Sequence, residues 1–149
     1  MQITFSSEEI NYKIKNSRLH KEWIQKVIKK EKCQAGKIQF VFCSDESLLE
    51  KNITFLAHQT LTDIITFDYS ELGVLNGEIY ISVDRVKENA IKFKIKEEEE
   101  LRRVIIHGVL HLCGYKDKKT LEKRQMREKE NDSLLMYLKL LPKKQPKTS

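Results

Sequence analysis

Long apolar runs are absent from this chain of 149 residues, and no window approaches the roughly 18 uncharged apolar residues that a membrane span needs. Met1 to Lys30 also lacks the apolar stretch of a signal peptide, so neither export nor membrane anchoring is expected. Cysteine is scarce. Cys33, Cys43 and Cys113 are odd in number and stand at no framework spacing, which excludes a disulfide scaffold and points to a reducing compartment. With five glycines and two prolines there is no interior linker, and no internal repeat is visible. What remains is 40% hydrophobic and 34% charged, too apolar for a disordered chain and too charged to live in a bilayer. The expectation is one cytoplasmic domain over residues 1–142, followed by a basic disordered tail over residues 143–149.

The net charge of +6 is unevenly spread. Met1 to Asp117 holds 18 basic and 18 acidic residues, whereas Lys118 to Ser149 holds 10 basic and 4 acidic. The whole excess lies in the last fifth of the chain. Such a segment can bind a polyanion, or it can simply be a lysine-rich solvated helix.

Apolar periodicity outlines the elements. Gln2–Phe5 and Ile10–Ile14 alternate as short strands, and Leu19, Trp23, Ile24, Val27 and Ile28 recur at helical spacing after Ser17, a candidate N-cap. Lys37–Cys43 reads as a strand, and Asp45 as the cap of a helix carrying Leu48, Leu49, Ile53 and Phe55. Asp63–Asp68 and Gly77–Val83 read as a hairpin, followed by helices over 84–94, 97–113 and 119–141. The fold class expected is α+β: a small mixed β-sheet with packed helices, one of them carrying metal-binding histidines as in metalloproteases.

The chemistry concentrates in His107-Gly-Val-Leu-His111-Leu-Cys-Gly114-Tyr-Lys-Asp117. Histidines at i and i+4 on a helix project from one face, spaced for a single ion. Gly114 can take positive φ, end the helix and turn the chain back, so that Asp117 supplies a third ligand. Three protein ligands leave a coordination position open, as in hydrolytic rather than structural zinc sites. A histidine pair on an apolar helix can also be two satisfied core residues, but the Gly and Asp at fitting offsets favour the metal. Zinc peptidases with this histidine spacing carry Glu after the first His as general base. Here that residue is Gly108, which argues against peptide hydrolysis.

Residues 107–115 resemble the signature of the YbeY family of rRNA maturation endoribonucleases, His-Gly-x-Leu-His-Leu-x-Gly-Tyr-Asp-His. Lys116 and Asp117 depart from it, Asp117 standing where the family has its third ligand His. Thr62-Asp-Ile-Ile-Thr-Phe67, Gly77-Glu-Ile79, Cys43-Ser-Asp-Glu46 with Leu49, and Met126 with Glu130 fall at matching offsets. The resemblance implies a metal-dependent, single-strand-specific endoribonuclease of 16S rRNA 3′-end maturation and ribosome quality control. It implies rRNA and the small ribosomal subunit as partners, with a ribosome-associated GTPase as a further one, and neither DNA nor membrane. Metal ligands would be His107, His111 and Asp117, holding one Zn²⁺ or, given two His and a carboxylate, another divalent ion such as Fe(II). Many relatives carry a cleft Arg where this chain has Leu56. His58, two residues on, is either an exposed loop histidine or its replacement at a phosphate or in proton transfer, which makes His58, His107 and His111 the candidate catalytic residues. Alternatives are a non-catalytic ribosome assembly factor with a structural metal and, less favoured, a zinc peptidase. Cys113 is expected to pack in the core and Glu97–Glu100 to complement the helix dipole. Tyr115 is left between base stacking and a helix-end contact.

Overall fold

In the computed structural model, which describes residues 2–56 and 62–142, the alternating stretch around Ile38, Phe40 and Phe42 forms the middle of a four-stranded mixed sheet. The elements are β1 (Gln2–Ser7), α1 (Ser17–Lys30), β2 (Gln34–Cys43), α2 (Asp45–Leu56), β3 (Ile64–Asp68), β4 (Val74–Ser82), α3 (Val83–Phe93), α4 (Glu97–Leu112) and α5 (Thr120–Leu140). The strand order is β1-β2-β4-β3. β1, β2 and β4 run parallel, and β3 pairs antiparallel with β4, the hairpin the sequence predicts.

Register explains the core. Phe40 lies opposite Phe5 on one side and Ile79 on the other, and Phe42 lies opposite Ile81. These residues share one face with α1, α4 and α5, where Trp23, Ile105, Val109 and Leu110 are fully buried. The other face carries α2, whose Leu48 joins Cys43 and Ile65 in a smaller cluster. Trp23 also donates its indole N–H to the Ser133 carbonyl at 2.7 Å, so α1 is pinned to α5. Among the described residues no helix is long and apolar enough to cross a membrane.

Four local expectations are corrected. Residues 10–14 form no strand: Glu9 at φ 60° turns the chain off β1, and Tyr12 instead packs its ring 5.0 Å from Phe42. Asn16, in left-handed geometry, precedes α1, and Ser17 is already helical. Ser44, not Asp45, caps α2 by accepting the Ser47 N–H at 3.2 Å. Asp45 is drawn away by the Ser82 hydroxyl at 2.6 Å and by Arg85 at 3.0 Å. Ile53 and Phe55 are exposed rather than core residues of α2. His58 and the tail over 143–149 lie outside the described residues.

Candidate metal centre

α4 has two faces, and Gly108 marks the one that meets the sheet. A Cβ there would stand 2.9 Å from Ile64 Cδ1 and 3.0 Å from Ile79 Cγ2, so any larger residue would have to displace these side chains. The residue after the first histidine therefore faces Ile64 and Ile79 of the sheet. A neighbouring stripe, Glu100, Arg103, His107 and His111, follows helical spacing and is polar.

Gly114, at φ 105°, ends α4 in a Schellman motif: Tyr115 N–H bonds to the Leu110 carbonyl at 3.1 Å and Gly114 N–H to the His111 carbonyl at 3.0 Å. The reversal turns the Tyr115 carbonyl onto His111, whose Nδ1–H donates to it at 2.9 Å. It also returns Asp117 to the histidines. Asp117 Oδ2 stands 3.0 Å from His107 Nε2 and 3.3 Å from His111 Nε2, and the two Nε2 atoms are 3.0 Å apart. Ligands about 2.0–2.1 Å from a tetrahedral zinc ion stand roughly 3.3 Å apart, so this triangle has the right size. Among the described residues, His107, His111 and Asp117 form the one group of three placed to bind a metal.

Glu130 completes the cluster and is the residue that sequence reasoning undervalued. It lies on the buried stripe of α5, between Met126 and Ser133, and only 5% of its surface is exposed. Its Oε2 accepts His107 Nδ1–H at 2.6 Å, and its Oε1 accepts Arg103 Nη1–H at 2.9 Å. Arg103 donates further to Asn131 at 3.0 Å. An acidic residue on an otherwise buried helical stripe was the available signal. Each ring thus spends its Nδ1 proton on an oxygen and leaves Nε2 free for an ion, the usual support of metal-ligating histidines.

Burial alone would push His107 toward its neutral form, but the hydrogen bond and charge of Glu130, with Asp117 and Asp63, raise its pKa above the ordinary value. Burial likewise opposes ionisation of Glu130, yet its bonds to His107 and Arg103 hold its pKa below the ordinary carboxylate value. Asp63 and Glu100 go the other way: burial raises both, and for Glu100 the charge of Asp63 adds to it. Glu100 is buried at the cleft wall, whereas Glu97, Glu98 and Glu99 start the helix as dipole-complementing residues. The cleft beside the cluster measures about 540 Å³.

The remaining candidates separate cleanly. Cys113 packs against the core, outside the group placed for a metal, and burial first, then Cys33 and Glu31, pushes its thiol up to about 12. Tyr115 donates its hydroxyl to Glu31 Oε2 at 2.6 Å, with Lys129 3.4 Å from the same carboxylate, and so makes the helix-end contact that ties α1, α4 and α5.

A mixed sheet crossed by a helix that bears two histidines, with a carboxylate returned to them by a glycine turn, defines an α+β protein with three possible metal ligands gathered at a cleft. The family model described as Endoribonuclease YbeY matches residues 2–137. The chain belongs to the YbeY endoribonuclease family. A Flavobacterium psychrophilum relative described as Endoribonuclease YbeY is 48% identical over 129 residues, covering 87% of this chain and 92% of that one. A Bacteroides fragilis relative of the same description is 45% identical over 136 residues, covering 91% and 98%. A solution structure from Thermotoga maritima superposes with a TM-score of 0.65 at 30% identity, covering 93% of this chain and 90% of the other.

Proposed function

We propose that this protein is a metal-dependent endoribonuclease that cuts single-stranded RNA during maturation of the small-subunit rRNA 3′ end and in ribosome quality control. The observation that carries the proposal is the convergence of His107 Nε2, His111 Nε2 and Asp117 Oδ2 within 3.0–3.3 Å, with both Nδ1 protons already committed. Two imidazoles and a carboxylate suit Zn²⁺ and also Fe(II). A divalent ion held there supplies Lewis acidity toward a phosphodiester.

The chain's own residues do the rest. Glu130 and the Tyr115 carbonyl keep both imidazoles in one tautomer and one orientation. Arg103 is held by Glu130 and Asn131, whereas Arg127, in a longer 3.7 Å ion pair with Glu130 and 62% exposed, lines the cleft where it can reach a phosphate oxygen. Lys118 and Lys119 before α5, and Lys123 and Arg124 on it, continue the positive charge from the last proposed ligand. A basic stripe beginning at the centre steers RNA toward it, so activity falls steeply with added salt. Gly108 carries no carboxylate to serve as the general base of a zinc peptidase, and Ile64 and Ile79 crowd the space beside it. The cytoplasm as its compartment, and the small subunit and a ribosome-associated GTPase as its partners, rest on the family resemblance.

Purified protein loaded with Zn²⁺ and incubated with unstructured rRNA fragments tests the proposal. Wild type is expected to bind about one equivalent of metal and to cut. His111→Ala and Asp117→Ala are expected to lose the metal and at least about a thousandfold in rate, the scale of a missing Lewis acid. Equal cleavage by wild type and His111→Ala refutes the proposal. Normal pre-rRNA processing by a folded His111→Ala protein moves it to an assembly factor. End-group analysis of the fragments separates attack by water from attack by the ribose 2′-hydroxyl.

A further inference from the structure

The apolar stripe of α3 outruns the core. Val86 and Ala90 are buried, but Phe93, next on the same face, is 55% exposed and forms part of the wall of the cleft that holds His107 and Asp117. Ile64 and Ile95 add apolar surface beside it, and Asn89, one turn earlier on α3, lines the same space. Among the described residues the Asn89 side chain makes no hydrogen bond, so its amide is available to both donate and accept. Lys92 places its ammonium 5.7 Å from the Phe93 ring centroid. One wall of the cleft thus offers an aromatic ring and an amide, while the other offers Arg127 and the cluster of His107, Asp117 and Glu130.

We propose that Phe93 and Asn89 form a base-binding subsite, in which an unpaired nucleobase flanking the scissile phosphate stacks on Phe93 and meets the Asn89 amide with its edge. The proposal rests on the endoribonuclease reading of the same cleft. A cleft of about 540 Å³ is of the size that takes a nucleotide-sized ligand. Single-stranded RNA is recognised by splayed bases stacked on aromatic rings, and a stacked base needs no particular sequence. A base paired in a duplex cannot present its face to Phe93. The subsite therefore supplies a reason for single-strand preference that the metal cluster alone lacks. Arg127, which lines the same cleft, suits a phosphate next to such a base.

The test is an abasic scan. A labelled, unstructured oligoribonucleotide carrying one abasic position at a time is given to the full-length zinc-loaded protein, with binding read by anisotropy and cleavage by gel. Wild type is expected to lose roughly tenfold in affinity at one abasic position, the fold-change of one stacked base. Phe93→Ala should lose about the same on the intact strand and become indifferent to that position, Phe93→Tyr should retain the dependence, and Asn89→Ala should show a smaller loss. Phe93→Ala binding as wild type does, with the same abasic profile, overturns the subsite even where cleavage is normal. A wild type that shows the abasic dependence but leaves every strand uncut keeps the subsite and removes the nuclease reading.

Discussion

His107 and His20 are both carried on helices and both largely withdrawn from water, yet the fold treats them in opposite ways. His20 is 4% exposed, its ring set among Phe5, Trp23 and Tyr137 at centroid distances of 6.5, 6.1 and 5.1 Å. Its Nδ1–H donates to the carbonyl of Asn16, the residue just before its own helix, at 2.9 Å. Burial pushes its pKa below the ordinary value. His107 faces Glu130, Asp117 and Asp63, and its pKa is raised although burial acts there too. Burial sets the cost of a charged ring, and the neighbouring oxygens decide whether the cost is met. His20 is the satisfied core histidine that an apolar helix can carry. His107 is held by a carboxylate on one nitrogen and keeps the other toward a cluster of ligands.

The contrast depends first on α4 lying hard against the sheet, so the largest predicted effect comes from forcing the two apart. Gly108→Glu puts a carboxylate against Ile64 and Ile79, where a Cβ alone already meets atoms at 2.9–3.1 Å. The expected loss is at least about 3 kcal/mol of stability, from overpacking and from an unpaired buried charge, read by urea denaturation. No chelator-sensitive cleavage of casein should appear. A stable variant that digests casein would mean that residue 108 faces the metal and that the two faces of α4 have been misassigned.

Removing the difference at its source is the next smaller perturbation. Glu130→Gln keeps the shape of the side chain but removes the charge that His107 and Arg103 share. Metal affinity should fall about 10- to 100-fold, measured by competition with a chromophoric chelator. Thermal melting of the metal-free variant should show it still folded. Unchanged affinity would reduce Glu130 to a structural partner of Arg103.

Much of this was legible in the sequence, and the limits have physical causes. The 107–117 motif is local: helical spacing aligns the histidines, and Gly114 marks the reversal, so the cluster follows from chain geometry over eleven residues. Glu130 and Arg103 are legible only once α5 is laid against α4, because their meeting depends on packing between residues 27 positions apart. Strand alternation at Ile10–Ile14 misled because the same alternation serves a segment that packs its apolar residues onto the core without pairing. The caps failed for a similar reason. Asp45 is a good cap in isolation, but Arg85 and Ser82, about forty positions on, compete for its carboxylate.

The smallest effect belongs to the quieter histidine and is a matter of pH. In the unfolded chain His20 titrates near the ordinary value of about 6.5, whereas in the fold its pKa is lower. Burial is the main cause and Arg102 adds to it, while the Asn16 carbonyl and Glu98 act in the opposite direction. Above about pH 6.5 both states hold a neutral ring, and the contribution to stability is fully present. As pH falls through that value the unfolded chain takes up a proton that the folded chain refuses, and stability declines until the folded pKa is passed. His20→Phe removes the proton site and keeps an aromatic ring among Phe5, Trp23 and Tyr137, at a cost of within about 1.5 kcal/mol. Urea denaturation of both proteins, metal-free and at matched pH, gives a difference curve in which carboxylates and His107 cancel. That difference should be flat above pH 6.5 and should shift in favour of His20→Phe below it. A difference that shifts toward wild type on acidification would show His20 gaining a proton in the fold, and would erase the distinction between the two histidines.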